Sequence, residues 1–146
     1  MQAGARWASA IAAAWAGVLL AIAVIAAPAA FATLPSPTAG RVVGRILAQE
    51  AYLALALALL LLFIEQRRAR QRAEAGTGSV MSLATVLLLG TMFCTVAGYF
   101  AVQPLMAEAR LGRGSWSFGA LHAVSGSFYA LKTLLVLALV WRFGRE

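Results

Sequence analysis

The chain has 146 residues, 62% of them hydrophobic, with a mean hydropathy of +0.84 and a formal charge of +7. A soluble domain uses roughly 45–50% apolar residues, so too little polar sequence remains here to clothe a water-soluble fold. Apart from Lys132 the basic residues sit at the ends of apolar runs and not in one patch interleaved with aromatics, which argues against nucleic acid and for lipid headgroups as their partners.

A hydrocarbon core about 30 Å thick takes roughly 20 helical residues per crossing, so four crossings consume nearly the whole chain. The expected fold class is all-α, a single integral membrane domain over residues 1–146 built as a four-helix antiparallel bundle. Its spans are expected at about 7–27, 46–64, 80–102 and 118–141.

The first span starts near Trp7 and is closed by Pro28. Arg6 before the apolar run and the Ala30-Phe31-Ala32 triplet also fit a cleaved secretory signal, but the run exceeds the usual 7 to 15 residues, roughly, of such a peptide, which favours retention. Residues 32–44 then carry Pro35, Pro37 and Gly40 and read as a turn, with Ser36 and Pro37 suited to the N-cap and N1 of a second helix. The uninterrupted apolar part of that helix, Ala51 to Ile64, covers only about 21 Å. Extending it back to Ile46 supplies the missing length and draws Gln49 and Glu50 into the membrane.

The segment from Glu65 to Gly78 reads as a basic loop with Arg67, Arg68, Arg70 and Arg72, more a topology anchor than a specific lipid site. A third span follows from Val80 to Val102, ended by Gln103 and Pro104, and the fourth runs from Phe118 to Trp141 between Trp116 and Trp141 as interfacial anchors. Arg6, the four loop arginines, Arg142 and Arg145 share one side. Arg41, Arg45, Arg110 and Arg113 share the other, so both termini are expected in the cytoplasm.

Small residues every four positions, Ser9, Ala13, Gly17 and Ala21 on the first helix and Gly90, Cys94 and Gly98 on the third, predict close helix packing. The last span carries the most informative pattern. His122, Ser125, Tyr129, Lys132 and Thr133 fall within an arc of roughly 100° at helical spacing. Since a charge near the bilayer centre costs at least about 2.5–3.5 kcal/mol, this face should point into the bundle.

The resulting candidate is an intramembrane polar site of Glu50, His122, Tyr129 and Lys132, supported by Gln49, Ser125 and Thr133. Depth along the helices brings Glu50 level with His122, and the long stem of Lys132 can lift its ammonium toward them. The competing reading has Glu50 and His122 pinning helices together while Lys132 snorkels to the headgroups. A stripe of Arg41, Arg45, Gln49 and Tyr52 lies at the start of the second helix and reads chiefly as a solvated helix end.

No nucleophile motif, phosphate loop or closed zinc set is present, so no catalytic residue and no cofactor is assigned. Two lesser options stay open. Copper would draw on His122 with Met92, Met106 or Cys94, and haem would take His122 as one axial ligand.

The run Pro28 to Phe31, then Leu34, Pro35, Ala39, Gly40, Val43 and Gly44, resembles the opening signature of the transmembrane protein 205-like proteins, catalogued as a domain of unknown function. Tyr99 to Arg110 with Gln103 and Pro104, followed by Phe118, Leu121, His122 and Ser125, resembles their later signature. The resemblance implies a four-helix membrane protein, with His122 and Ser125 at the polar start of the last helix and Gly40 and Gly44 at close-packing positions. More distantly the chain is similar to copper-resistance D type membrane proteins and to a membrane group involved in haem synthesis, from which its single His departs. Residues and resemblance together lead to an expected small bacterial inner-membrane protein that binds or helps move a small solute or ion. An accessory subunit is the alternative, and a homo-oligomer or another membrane protein is the expected company.

Overall fold

The computed structural model describes residues 2–145, and among these the regular structure is entirely helical. Helix α1 runs unbroken through Gln2–Ala21, Ile22–Ala26 and Ala27–Thr33, with the middle section wound in π register. Helix α2 is Ser36–Glu74. Helix α3 joins Leu83–Thr95, a π section Val96–Ala101 and Val102–Arg110, and α4 is Phe118–Gly144. All four are long and apolar enough to cross a bilayer, and the chain is a multi-pass membrane protein.

Each helix outruns the span expected for it. Pro28 and the Gln103–Pro104 pair, expected to end the first and third spans, lie inside α1 and α3. An interior proline removes an N–H and crowds the carbonyl four residues back. In both helices it follows closely on a π section, where the hydrogen-bond register is already displaced; the Ala27 N–H reaches back five residues to the Ile22 carbonyl. The widened turn absorbs the ring and the helix continues.

The ends of α2 also correct the sequence reading. Pro35 occupies the N-cap with φ −55° and ψ 137°, Ser36 is already helical, and no side chain caps the helix, so Ser36 does not play the expected part. Pro37 sits in the first turn, where an N–H has no intrahelical partner to lose. At the other end the arginines expected in a loop continue the helix to Glu74, because Glu, Gln, Arg and Ala are strong helix formers. Gly76, at φ 69°, then turns the chain, and the Thr77 N–H closes on the Arg72 carbonyl at 2.9 Å. Helices α3 and α4 are capped by Ser82 and Ser117, which accept from the N–H groups of Thr85 and Ala120.

The helices form a ring in which α1 and α3 each pack on both α2 and α4, leaving α2 and α4 facing across a diagonal. The end at which α1 begins and α4 ends is tightly packed. Ala8, Ala12, Trp15 and Leu19 of α1 meet Ala54, Ala58 and Leu61 of α2, Leu88 of α3, and Val136 and Leu139 of α4. Alanine on three turns of α1 and α2 lets those backbones approach closely. The expected stripe is not the one used: Ala13, Gly17 and Ala21 are exposed and Ser9 only partly buried. An alanine-rich helix offers small residues on every face, and it is Ala8 and Ala12, in line with bulky Trp15 and Leu19, that turn inward.

Toward the opposite end the ring comes apart into two pairs. Helix α1 packs on α4 along Gln2–Ala21, whereas Ala27–Thr33 packs on α2; on the other side Val96–Ala101 and Val102–Arg110 pack on α4. The core there shrinks to Val102, Met106 and Leu121, between α3 and α4. The two π sections mark the level at which the pairs separate.

Glycines report the same division. A Cβ at Gly98 would lie well inside van der Waals contact of Phe128, and one at Gly90 would stand 3.1 Å from Leu135 Cδ1. Gly40 and Gly44, expected at close-packing positions, face open space, since the segment of α2 they occupy borders the split.

Candidate functional site

The gap between the two helix pairs is a cavity of about 260 Å³ to which all four helices contribute. From α1 come Ile22, Ala23, Ala27 and Phe31; from α2, Val43, Leu47 and Glu50. Helix α3 adds Cys94, Thr95, Gly98, Tyr99, Gln103 and Met106, and α4 adds His122, Ser125, Gly126, Tyr129 and Lys132. From His122 to Lys132 is ten residues of helix, about 15 Å, or half the thickness of a hydrocarbon core.

The floor is an ion pair. Lys132 Nζ donates to both carboxylate oxygens of Glu50, at 2.8 and 2.7 Å, and lies 5.0 Å from the centroid of the Tyr129 ring. The side chains of Lys132 and Glu50 are only 4% and 3% exposed. The pair spans the diagonal between α2 and α4, which have few backbone contacts of their own, so two long side chains tie the halves of the bundle where they begin to part. Beside it the Tyr129 hydroxyl donates to the Leu19 carbonyl at 2.9 Å, linking α4 to α1 three residues before the π section.

Sequence reasoning brought Glu50 level with His122 and let the stem of Lys132 lift its ammonium toward them, with an escape of Lys132 to the headgroups as the competing reading. The structure turns Lys132 inward onto Glu50, but His122 does not meet them and sits near the mouth, stacked on Phe118 with ring centroids 5.9 Å apart. An extended lysine stem reaches across a diagonal that a short imidazole cannot. Ser125 lines the cavity and donates to the Gly98 carbonyl at 2.7 Å, holding the π section of α3 against α4. Thr133 turns back on its own helix to the Tyr129 carbonyl, and Gln49 is exposed on the outer face of α2; neither lines the cavity. Arg41, Arg45 and Tyr52 share that outer face with Gln49, Tyr52 meeting Phe100 edge-on at 5.3 Å.

Residues absent from the sequence-based site make up most of the wall, above all the α1 and α3 segments at and beyond the π turns. Pro28 and Pro104 were the available signal, because a proline followed by more helix-compatible apolar sequence marks a distorted helix as readily as a terminated one. His122 of α4 and Gln103 and Tyr99 of α3 also line the cavity, which places polar side chains toward its mouth. Between mouth and floor the walls are apolar, with Ile22, Ala27, Val43 and Leu47.

Of the copper ligands considered from the sequence, His122, Cys94 and Met106 line the cavity. Cys94 and Met106 both line it, but twelve residues of α3 separate them by about 18 Å along the axis, so one copper ion cannot take both. Met92 packs against the tight core at the other end. No group of three or more His, Cys, Asp or Glu that could hold a metal occurs among the described residues, and for haem the chain offers one imidazole.

A family model described as Domain of unknown function (DUF4149) matches residues 10–115, which takes in most of α1 and all of α2 and α3. No curated protein and no solved structure matches the chain.

Proposed function

Because the chain belongs to the DUF4149 family, whose description assigns no activity, we propose a function from the cavity itself: it binds, and helps to move, a small amphipathic solute. The observation that carries this reading is a cavity with apolar walls, a polar mouth and a buried ion pair as its floor. Binding sites for small molecules are mostly apolar concavities with a few placed polar groups, and about 260 Å³ suits a small guest. Its apolar part would lie against Ile22, Ala27 and Leu47, and a polar group would meet Tyr129 and the Glu50–Lys132 pair.

The parting of the helix pairs toward the end opposite the termini supports a mouth open to water there, and the separation of α1 from α4 beyond Ala21 also gives the apolar part of a guest access from the bilayer. In this reading the protein sits in a bacterial inner membrane with both termini cytoplasmic, as its Lys and Arg distribution favours, and the mouth faces outward. The motif resemblance to transmembrane protein 205-like proteins is in keeping with a four-helix membrane protein of this kind.

Filling the cavity tests the proposal. Gly126 lines it and a Cβ there meets nothing within 4 Å, so the side chain of Gly126→Leu starts into open space at the cavity wall, and the substitution raises helix propensity by about 0.8–1 kcal/mol. In native mass spectrometry of protein released from its own membranes, the wild type and Val124→Leu, altered on the outer face of α4, should retain a bound small molecule that Gly126→Leu lacks. Equal retention by Gly126→Leu would rule the cavity out as the binding site.

A further inference from the structure

The ion pair at the cavity floor has hydrogen-bonding capacity left over. An ammonium carries three N–H groups, and Glu50 engages at most two of those of Lys132. Each carboxylate oxygen of Glu50 has two lone pairs and takes one of these bonds, so each keeps one to offer. Both side chains line the cavity, and the floor therefore presents a charged donor beside a charged acceptor. The Tyr129 hydroxyl has already given its proton to the Leu19 carbonyl.

The same floor is neutral as a whole. Glu50 and Lys132 cancel, and no other Asp, Glu, Lys or Arg lines the cavity among the described residues. A guest with a net charge would leave its hydration behind and meet no unpaired counter-charge. An anion has to displace Glu50 from Lys132 and a cation has to displace Lys132 from Glu50, and either exchange strands a buried ion. Size sets a second limit. A dry apolar cavity of about 150 Å³ holds one benzene, so about 260 Å³ takes on the order of ten non-hydrogen atoms, a ring with a short chain.

From these constraints we infer that the guest is an uncharged alcohol or phenol of this size, its hydroxyl accepting from Lys132 Nζ and donating to a Glu50 oxygen while its hydrocarbon lies along Ile22, Ala27, Val43 and Leu47. A hydroxyl donates and accepts through one oxygen, whereas an ether or a ketone only accepts and leaves the Glu50 lone pairs unanswered. Hydrogen bonds to ionised partners are the stronger kind, so the hydroxyl is a principal source of selectivity. The inference rests on the cavity being the binding site and adds the chemical class of what it takes.

Four probes with equal numbers of non-hydrogen atoms separate the alternatives: para-propylphenol, para-propyltoluene, para-toluate and para-ethylbenzylammonium. The purified full-length protein in a non-ionic detergent is dialysed to equilibrium at neutral pH against the same detergent without protein, so that partition of a probe into micelles cancels between the two sides. The wild type and Val124→Leu should bind para-propylphenol at least about tenfold more tightly than any other probe, the margin implied by hydrogen bonds to charged groups. Gly126→Leu should lose that binding. In Glu50→Leu with Lys132→Met, which removes both charges together, para-propylphenol and para-propyltoluene should bind within about twofold of each other. A preference for the phenol that survives in this double variant overturns the inference. So does binding of para-propyltoluene or of either ion as tight as that of the phenol and equally lost in Gly126→Leu, and the cavity then still stands as the binding site. Absence of any binding that distinguishes the wild type from Gly126→Leu overturns the inference as well. In that case the small molecule carried from native membranes decides the wider reading, which falls too only if Gly126→Leu retains that molecule equally.

Discussion

Replacing Lys132 by Met should destabilise the protein by roughly 3–5 kcal/mol, while replacing Glu50 by Leu in the same chain should restore stability to near that of the wild type or above it. The reason is the asymmetry of buried charge. Both side chains are almost fully buried, and Lys132 satisfies both oxygens of Glu50, so removing the ammonium strands a carboxylate in a low-dielectric interior. Removing both charges together removes the desolvation cost as well, and two apolar side chains can fill the diagonal. Thermal unfolding of the two single variants and the double variant in one detergent gives the coupling as a double-mutant cycle. Single variants no less stable than the wild type would show that the pair is not made in the folded protein.

The same set of variants separates the two roles the ion pair can have. If Glu50 and Lys132 only pin α2 to α4, the stable double variant keeps its bound guest; if they form the polar floor of a binding cavity, it folds and loses the guest. Mass spectrometry of the double variant therefore reads function without being confounded by unfolding.

Gly98→Ala should cost about 1–3 kcal/mol, a large penalty for one methyl group on a helix. The added Cβ would overlap the Cβ of Phe128, an atom that moves only with the α4 backbone, so the helices must part. Parting them stretches the Ser125–Gly98 hydrogen bond that holds the π section of α3, so the wall of the cavity shifts too. Gly44→Ala provides the contrast. Nothing lies within 4 Å of a Cβ there, and the gain in helix propensity should leave stability equal or up to about 1 kcal/mol higher. Thermal unfolding of the two variants side by side checks both, and a Gly98→Ala protein as stable as Gly44→Ala would contradict the close contact.

The membrane class and the number of helices were legible because they follow from apolar length alone, which no tertiary contact has to decide. Much of one face of α4 was legible too, since Ser125, Tyr129 and Lys132 share an angular position whatever surrounds them. What helical spacing cannot convey is which helix stands opposite. Glu50 was matched to His122 by depth along straight helices, but the ring order puts α2 diagonally across from α4, where only the long reach of Lys132 closes the distance. The ends of α1 and α3 were misread for a local reason, because Pro28 and Pro104 end a regular α-helix yet are accommodated after a π turn. Those two distortions shape the cavity, so the feature hardest to read in the chain is also the one that positions the site.

Accessibility of the cavity from the end opposite the termini is the central claim, and cysteine labelling on intact cells tests it most directly. With Cys94→Ala removing the only native thiol, Gly126→Cys places a thiol on the cavity wall and Val124→Cys places one on the outer face of the same helix, two residues away. A charged, membrane-impermeant maleimide added outside the cells is predicted to label Gly126→Cys and to leave Val124→Cys unmodified in the lipid. If the Gly126→Cys thiol proves as unreactive as that of Val124→Cys, the cavity is closed to the outside and the account is contradicted.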